Sequence, residues 1–220
     1  MLARKLTAAS ARAAAAPWWR AGGAPEPVAV YQPIGAASLA ASYVNLANPG
    51  VFDAAPGVAP TLGAAGWGSD GTKWLNTGIV PSSRDWSYLV RFSDAETQTL
   101  RLFGSNVSGA TLYIEPLAGG AFTQYANHGS GLPTNVSGTT ASGVLAIANT
   151  TLYKNGAAVG VLAGGDFTAT PLEIYIMAMN SAGSASRPGV VNIQAIAIYD
   201  TSTDHAIWVP AVSAAMAALT

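Results

Sequence analysis

Hydrolysis of a glycosidic bond needs two carboxylates held a set distance apart across the scissile bond. In this sequence the closest acidic pair is Asp94 and Glu96, where a run of alternating residues gives way to a loop. No third acid follows, and Asp94, Ala95 and Glu96 read as a solvated turn. A nucleophilic triad needs a histidine beside a serine, and the histidines are His128 and His205 alone. His128 lies in a Gly/Ser loop and His205 in a terminal helical segment, and neither has a nameable partner. No catalytic residue is therefore assigned, and the chain is expected not to be an enzyme. Two histidines, scattered acids and no cysteine also argue against a transition-metal site. Sugar binding asks for less: an aromatic face with amide or carboxylate groups beside it. Phe122, Tyr125, Asn127 and His128 offer that combination in one segment, so Tyr125, Asn127 and His128 are the candidate ligand-binding residues.

The elements that must position these residues are strands. Residues 151–162, TLYKNGAAVGVL, place Asn155-Gly156 between two strand-like runs. A type I′ hairpin turn needs positive φ at both central residues, and Asn-Gly supplies it. Residues 192–200, NIQAIAIYD, alternate Ile193, Ala195, Ala197 and Tyr199 with Gln194, Ile196 and Ile198. That run is apolar on both faces and reads as an internal strand. Trp86, Tyr88, Val90 and Phe92 alternate strictly with Ser87, Leu89 and Arg91. Further strands are expected over 28–31, 73–80, 97–104, 110–115, 122–127, 143–148 and 172–179. Thr203-Asp204 can cap a short helix over 205–219, with Pro210 interrupting it. This is an all-β pattern: two antiparallel sheets packed face to face in jelly-roll order, with a partly helical N-terminal arm and a short C-terminal helix.

The order of these elements resembles the laminin-G-like branch of the concanavalin A-like lectin/glucanase superfamily. The matching residues are Leu152-Tyr153-Lys154-Asn155-Gly156, the strand from Ile193 to Tyr199, and Trp67-Gly68-Ser69-Asp70-Gly71 with Trp74-Leu75. The resemblance implies a jelly roll. The glucanases of that superfamily carry Glu-x-Asp-x-(x)-Glu on one strand, a motif this sequence lacks. The resemblance also brings in calcium on loop carboxylates, for which Asp53, Asp70 and Asp166 are the available oxygens. None belongs to a spaced ligand run, so no cofactor is assigned. Residues 33–60, PIGAASLAASYVNLANPGVFDAAPGVAP, and PWWRAGG at 17–23 are similar to lectin-like proteins of tailed phages.

Composition sets the remaining bounds. Half of the residues are apolar and 10% are charged, so a large core is available and the surface is built from Ser, Thr, Asn, Gly and Ala. Arg4, Lys5, Arg12 and Arg20 put four cations in the first 20 residues without an acid, while the rest carries six basic and eleven acidic groups. An acidic body argues against nucleic acid, since phosphate contacts need clustered Lys and Arg. No apolar run approaches the ~20 residues that span a bilayer. The expected domains are an attachment arm and linker over 1–27 and a jelly roll over 28–220. Residues 1–16 read as an Ala-rich helix ended by Pro17, with an organellar presequence or a secretory signal as alternatives. Leu2, Leu6, Trp18, Trp19 and Arg20 are the candidate attachment residues. Trp18 and Trp19 would plug into a partner or cover the end of the sandwich. The chain is expected to be a structural protein of a phage virion, either a decoration or a tail-fibre adhesin. Its expected partners are other virion proteins through residues 1–23, further copies of itself and a host-surface glycan. The alternatives are a secreted or cellular carbohydrate-binding module and a glycan-active enzyme.

Overall fold

The computed structural model describes residues 16–96, 99–108, 110–127, 133–162 and 167–220. In chain order, a 3-10 helix (Trp18–Gly23) leads into β1 (Ala29–Tyr31), a single turn α1 (Leu39–Ser42), β2 (Ala55–Val58), β3 (Thr61–Gly63), β4 (Gly66–Asp70) and β5 (Trp74–Asn76). Then come β6 (Ser87–Ser93), β7 (Phe103–Val107), β8 (Ala110–Ala118), β9 (Phe122–Asn127), β10 (Thr134–Ser137), β11 (Gly143–Ala148), β12 (Thr151–Lys154) and β13 (Ala157–Val161). The chain closes with β14 (Tyr175–Ile176), β15 (Met179–Ser181), β16 (Ser184–Ser186), β17 (Val190–Tyr199) and α2 (His205–Ala217).

These strands form two sheets, as the alternation predicts. Sheet A runs β13-β12-β11-β6-β17-β4-β3, with β1 beside β17; sheet B runs β10-β9-β8-β7-β14-β5-β2, with β15 and β16 at its side. Their inner faces meet in one core, to which sheet A gives Trp67, Tyr88, Phe92, Ile147 and Ile198, and sheet B gives Leu75, Phe103, Ile114, Tyr125 and Ile176. Trp67 is fully buried, and its indole Nε1 donates to Ser42 Oγ at 2.7 Å, so the polar handle of the largest core ring is satisfied. Asn155 and Gly156 take φ of 50° and 80° at the β12–β13 turn, as a type I′ hairpin requires.

β17 is internal, but its alternation is not uniform. Ile193, Ile196 and Ile198 all face the inter-sheet core, while Ala195, Ala197 and Tyr199 face outward. The register against β6 shifts between Ile193 and Ala195, so an extra residue, Gln194, turns the strand over by one position. The expected grouping of Ile193 with Ala195 fails for that reason.

Sheet A is covered on its outer face as well. Leu89, Val144, Ala146, Ala148, Ala195 and Ala197 form a low apolar surface, and α2 lays Trp208, Val212 and Met216 on it at four-residue spacing. Arg91 Nη1, also on this face, donates to the carbonyls of Met216 and Leu219 at 2.9 and 2.7 Å and so caps the C-terminal end of α2. Contrary to expectation, Pro210 does not interrupt α2. The carbonyl it leaves without an intrahelical donor belongs to Ala206, which is exposed and can bond water instead. Nor does the Asp204 side chain cap the helix; that residue sits in a left-handed conformation at φ 54°. The strands expected over 97–104 and 172–179 are displaced or broken. Met177 takes φ 63°, which separates β14 from β15.

Candidate functional site

The outer face of sheet B carries a groove of about 320 Å³, lined by Arg101, Glu115, Ala118, Gly119, Phe122, Gln124, Asn135 and Arg187. Backbone irregularity makes the concavity. The β8–β9 register shifts between Glu115 and Ala118, where Pro116 has no N–H to give to the ladder. The chain then reverses through Gly119 and Gly120, at φ 57° and 72°. Beyond the shift, period-two alternation sends Phe122, Gln124 and Ala126 outward and Thr123, Tyr125 and Asn127 inward.

At the floor of the groove, Arg101 and Glu115 form an ion pair, and each residue is 5% exposed. The Arg101 guanidinium carbon lies 3.5 Å from the centroid of the Tyr113 ring, a cation–π contact. β8 lies this close to β7 at Tyr113 because its partner, residue 104, is glycine: a Cβ there would meet Leu112 O at 2.2 Å and Tyr113 Cβ at 3.0 Å. Burial pulls the Arg101 guanidinium down to about 10; Tyr113 opposes this and neighbouring Arg187 adds to it. Arg101 remains protonated at neutral pH. The Tyr113 phenol is raised by burial, with both arginines acting in the opposite direction. The Tyr113 hydroxyl donates to Gln124 Oε1 at 2.5 Å, and Gln124 Nε2 donates to Asn135 Oδ1 at 2.8 Å. This chain orders both amides across β8, β9 and β10.

The Arg101 N–H donates to the Arg187 carbonyl at 3.1 Å, which holds the two arginine-bearing segments side by side. Arg187 has φ 54° and an exposed side chain that makes no ion pair among the described residues. Phe122, at the rim, is 41% exposed. The groove thus offers an apolar ring, two ordered amides, a buried ion pair and, among the described residues, a guanidinium without an ion pair.

The residues singled out from the sequence fall elsewhere. Tyr125 is 0% exposed in the inter-sheet core, and its hydroxyl donates to the Tyr153 carbonyl at 3.3 Å. Asn127 is 4% exposed, and its Nδ2 donates to the carbonyls of Arg84 and Asn149. Neither presents a face to a ligand, because odd-numbered residues of β9 point inward. His128, Leu2 and Leu6 lie outside the described residues. Trp18 and Trp19 are half-buried and pack on the outer face of sheet A, in the cluster that holds Trp208 of α2. Trp18 Nε1 donates to Gln32 Oε1 at 2.7 Å, and Tyr199 donates to the Trp19 carbonyl at 2.7 Å. Arg20 pairs with Glu26 of the same chain. His205 is placed at the start of α2, where Tyr153 OH and its Nδ1 are 2.7 Å apart.

The carboxylates considered for calcium do not converge. Asp53 Oδ1 accepts from the N–H groups of Asn45 and Gly50, and Asp70 Oδ1 accepts from Thr72 N and Oγ1. Asp166 lies outside the described residues. Among those described, no three acidic or imidazole groups gather as a metal site. No described helix is long and apolar enough to cross a membrane.

No family model and no curated protein sequence matches the chain. Solved structures do. The chain is similar to domain 4 of the extracellular GH43 arabinanase AbnA of Geobacillus stearothermophilus, solved in complex with arabinotriose. The two share 16% identity at a TM-score of 0.55, over 86% of this chain and 98% of that domain. It is also similar to Trypanosoma rangeli sialidase, solved with sialic acid, at 12% identity and a TM-score of 0.55. That match covers 87% of this chain but 33% of the sialidase. A mutant of the same sialidase with trans-sialidase activity matches at 12% identity and a TM-score of 0.50, again over 33% of its length. The chain therefore spans about a third of the sialidases it resembles. These likenesses establish the fold, a sandwich consistent with the jelly-roll expectation. They carry no link to a phage particle. They also correct the expectation that the chain is not an enzyme. That expectation took the missing glucanase motif to set the chain apart, whereas this sandwich occurs within a glycoside hydrolase and within sialidases.

Proposed function

We propose that the chain is a carbohydrate-binding module whose glycan site is the groove on the outer face of sheet B. The observation that carries this reading is the pairing of the exposed Phe122 ring with the ordered amides of Gln124 and Asn135. A pyranose or furanose stacks its C–H face on such a ring while its hydroxyls bond the amides, and a concave wall excludes water from those bonds. The arabinanase domain, solved with arabinotriose and similar over nearly all of its length, lends the reading further support. The virion reading rests on the sequence resemblance alone, and no feature of the groove favours it over a secreted or cellular module.

Affinity electrophoresis through gels holding arabinan, xylan, β-glucan, mannan or pectin tests the proposal. At least one polysaccharide should retard the protein, and Phe122→Ala should weaken that retardation about tenfold or more, as loss of an aromatic anchor does. The thermal melt of the variant should match that of the parent, because Phe122 lies outside the core. Retardation that survives both Phe122→Ala and Gln124→Ala would place the glycan elsewhere and contradict the proposal.

A further inference from the structure

We infer that the groove selects a carboxylate-bearing sugar, with the Arg101 and Arg187 guanidiniums as the anion-binding pair. The inference rests on the carbohydrate-binding reading above and adds a ligand class to it. Its basis is the charge left over in the groove. Glu115 is the one carboxylate in the lining, and Arg101 already holds it. Arg101 Nε is buried with no hydrogen-bond partner among the described residues. Arg187 stands beside Arg101 and makes no ion pair among the described residues. Two cations and one anion therefore share a partly dry concavity, an arrangement that an incoming anion completes. A guanidinium presents parallel N–H donors in a plane, which suits the two oxygens of a carboxylate. A neutral sugar would bond the amides but leave Arg187 unpaired and Arg101 Nε unsatisfied.

The test uses the full chain and immobilised polygalacturonate, alginate and hyaluronan, each beside its carboxyl-reduced counterpart, with arabinan as the neutral polymer and dextran sulfate as the alternative anion. At least one carboxylate polymer should bind. Carboxyl reduction should weaken it about tenfold or more, Arg187→Gln should do the same, and Arg187→Lys should recover part of the loss. Raising the salt to about 0.5 M should weaken binding to the carboxylate polymer and leave any binding to arabinan unchanged. Arg187 is exposed, so its variants should fold; matching circular dichroism and melts establish that. Equal binding to the carboxyl-reduced polymers, or full binding by Arg187→Gln, overturns the inference and leaves the carbohydrate-binding reading standing. Binding to dextran sulfate but to no carboxylate polymer also overturns it, since the site would then read sulfate esters. No binding to any carboxylate polymer also overturns it, and the carbohydrate-binding reading then stands or falls on the neutral polysaccharides of the electrophoresis test.

Discussion

Sheet A turns Leu89, Val144, Ala146, Ala195 and Ala197 outward, and the chain's own α2 and 3-10 helix lie down on them. Sheet B turns Glu115, Gln124 and Asn135 outward, and among the described residues no helix covers the groove they line. The difference follows from the side chains. A low apolar surface gains by burying Trp208, Val212 and Met216 at roughly 25 cal/mol per Å² of apolar area. The other surface holds a charged pair and two amides, whose unspent hydrogen bonds an apolar helix could not satisfy. One face is thereby closed by folding, and the other stays available to a polar ligand. Changes on sheet A's outer face should be read in stability, and changes at the rim of the groove in binding.

The largest expected effect is on the closed face. Trp208→Ala removes a fully packed ring that lies 4.7 Å from Tyr199 and donates its Nε1 to the Thr203 carbonyl. Urea denaturation should show a loss of about 3–5 kcal/mol. A loss under 1 kcal/mol would mean that α2 is dispensable and the comparison wrong. Glu115→Gln comes next. Although it lies on the open face, it leaves the buried Arg101 charge uncompensated, and denaturation should show a loss of about 3 kcal/mol. A neutral outcome would show that the floor of the groove is not built on the ion pair. Trp18→Ala with Trp19→Ala should lower stability by about 2 kcal/mol, since both half-buried rings pack within the chain. An unchanged melt would instead favour the attachment role expected from the sequence.

The smallest effect is one of pH. Burial lowers the His205 pKa below its ordinary value of about 6.5. The unfolded chain therefore takes up this proton more readily than the folded chain does. The stability tied to neutral His205 is present above about pH 6.5 and is lost as the pH falls through the lower folded value. The urea midpoint should drop between pH 7 and pH 5, and His205→Asn should drop less. Equal slopes would show that the Tyr153–His205 contact does not couple α2 to pH.

The fold was legible because its signals are local. Asn155-Gly156 sets its own turn, and Trp86 to Phe92 alternate without a break, so both could be read residue by residue. The bulge at Gln194 could not, because an extra residue in β17 shows only against its partner strand β6. Pro210 misled for a similar reason, since tolerance of proline in α2 depends on an exposed Ala206 carbonyl. Half of the proposed binding groove was within reach. Phe122 and Tyr125 are three apart, and in a strand that spacing places them on opposite faces; applying the period to β9 would have kept Phe122 with Gln124 and set Tyr125 and Asn127 aside. Arg101, Glu115 and Arg187 carried no such signal. They are separated by long stretches of sequence and meet only because β8 pairs with β7 and the Arg101 N–H reaches the Arg187 carbonyl.

The central claim, that the open face of sheet B is where the protein meets a glycan, is tested most directly by amide and side-chain NMR. The isotope-labelled protein would be titrated with an oligosaccharide cut from whichever polysaccharide retards it. Shifts should cluster on the Phe122 ring, the Gln124 and Asn135 side-chain amides and the Arg187 guanidinium, while Trp208, Val212 and Ala197 stay still. Shifts centred on α2 and the 3-10 helix, with the groove unmoved, would contradict the account.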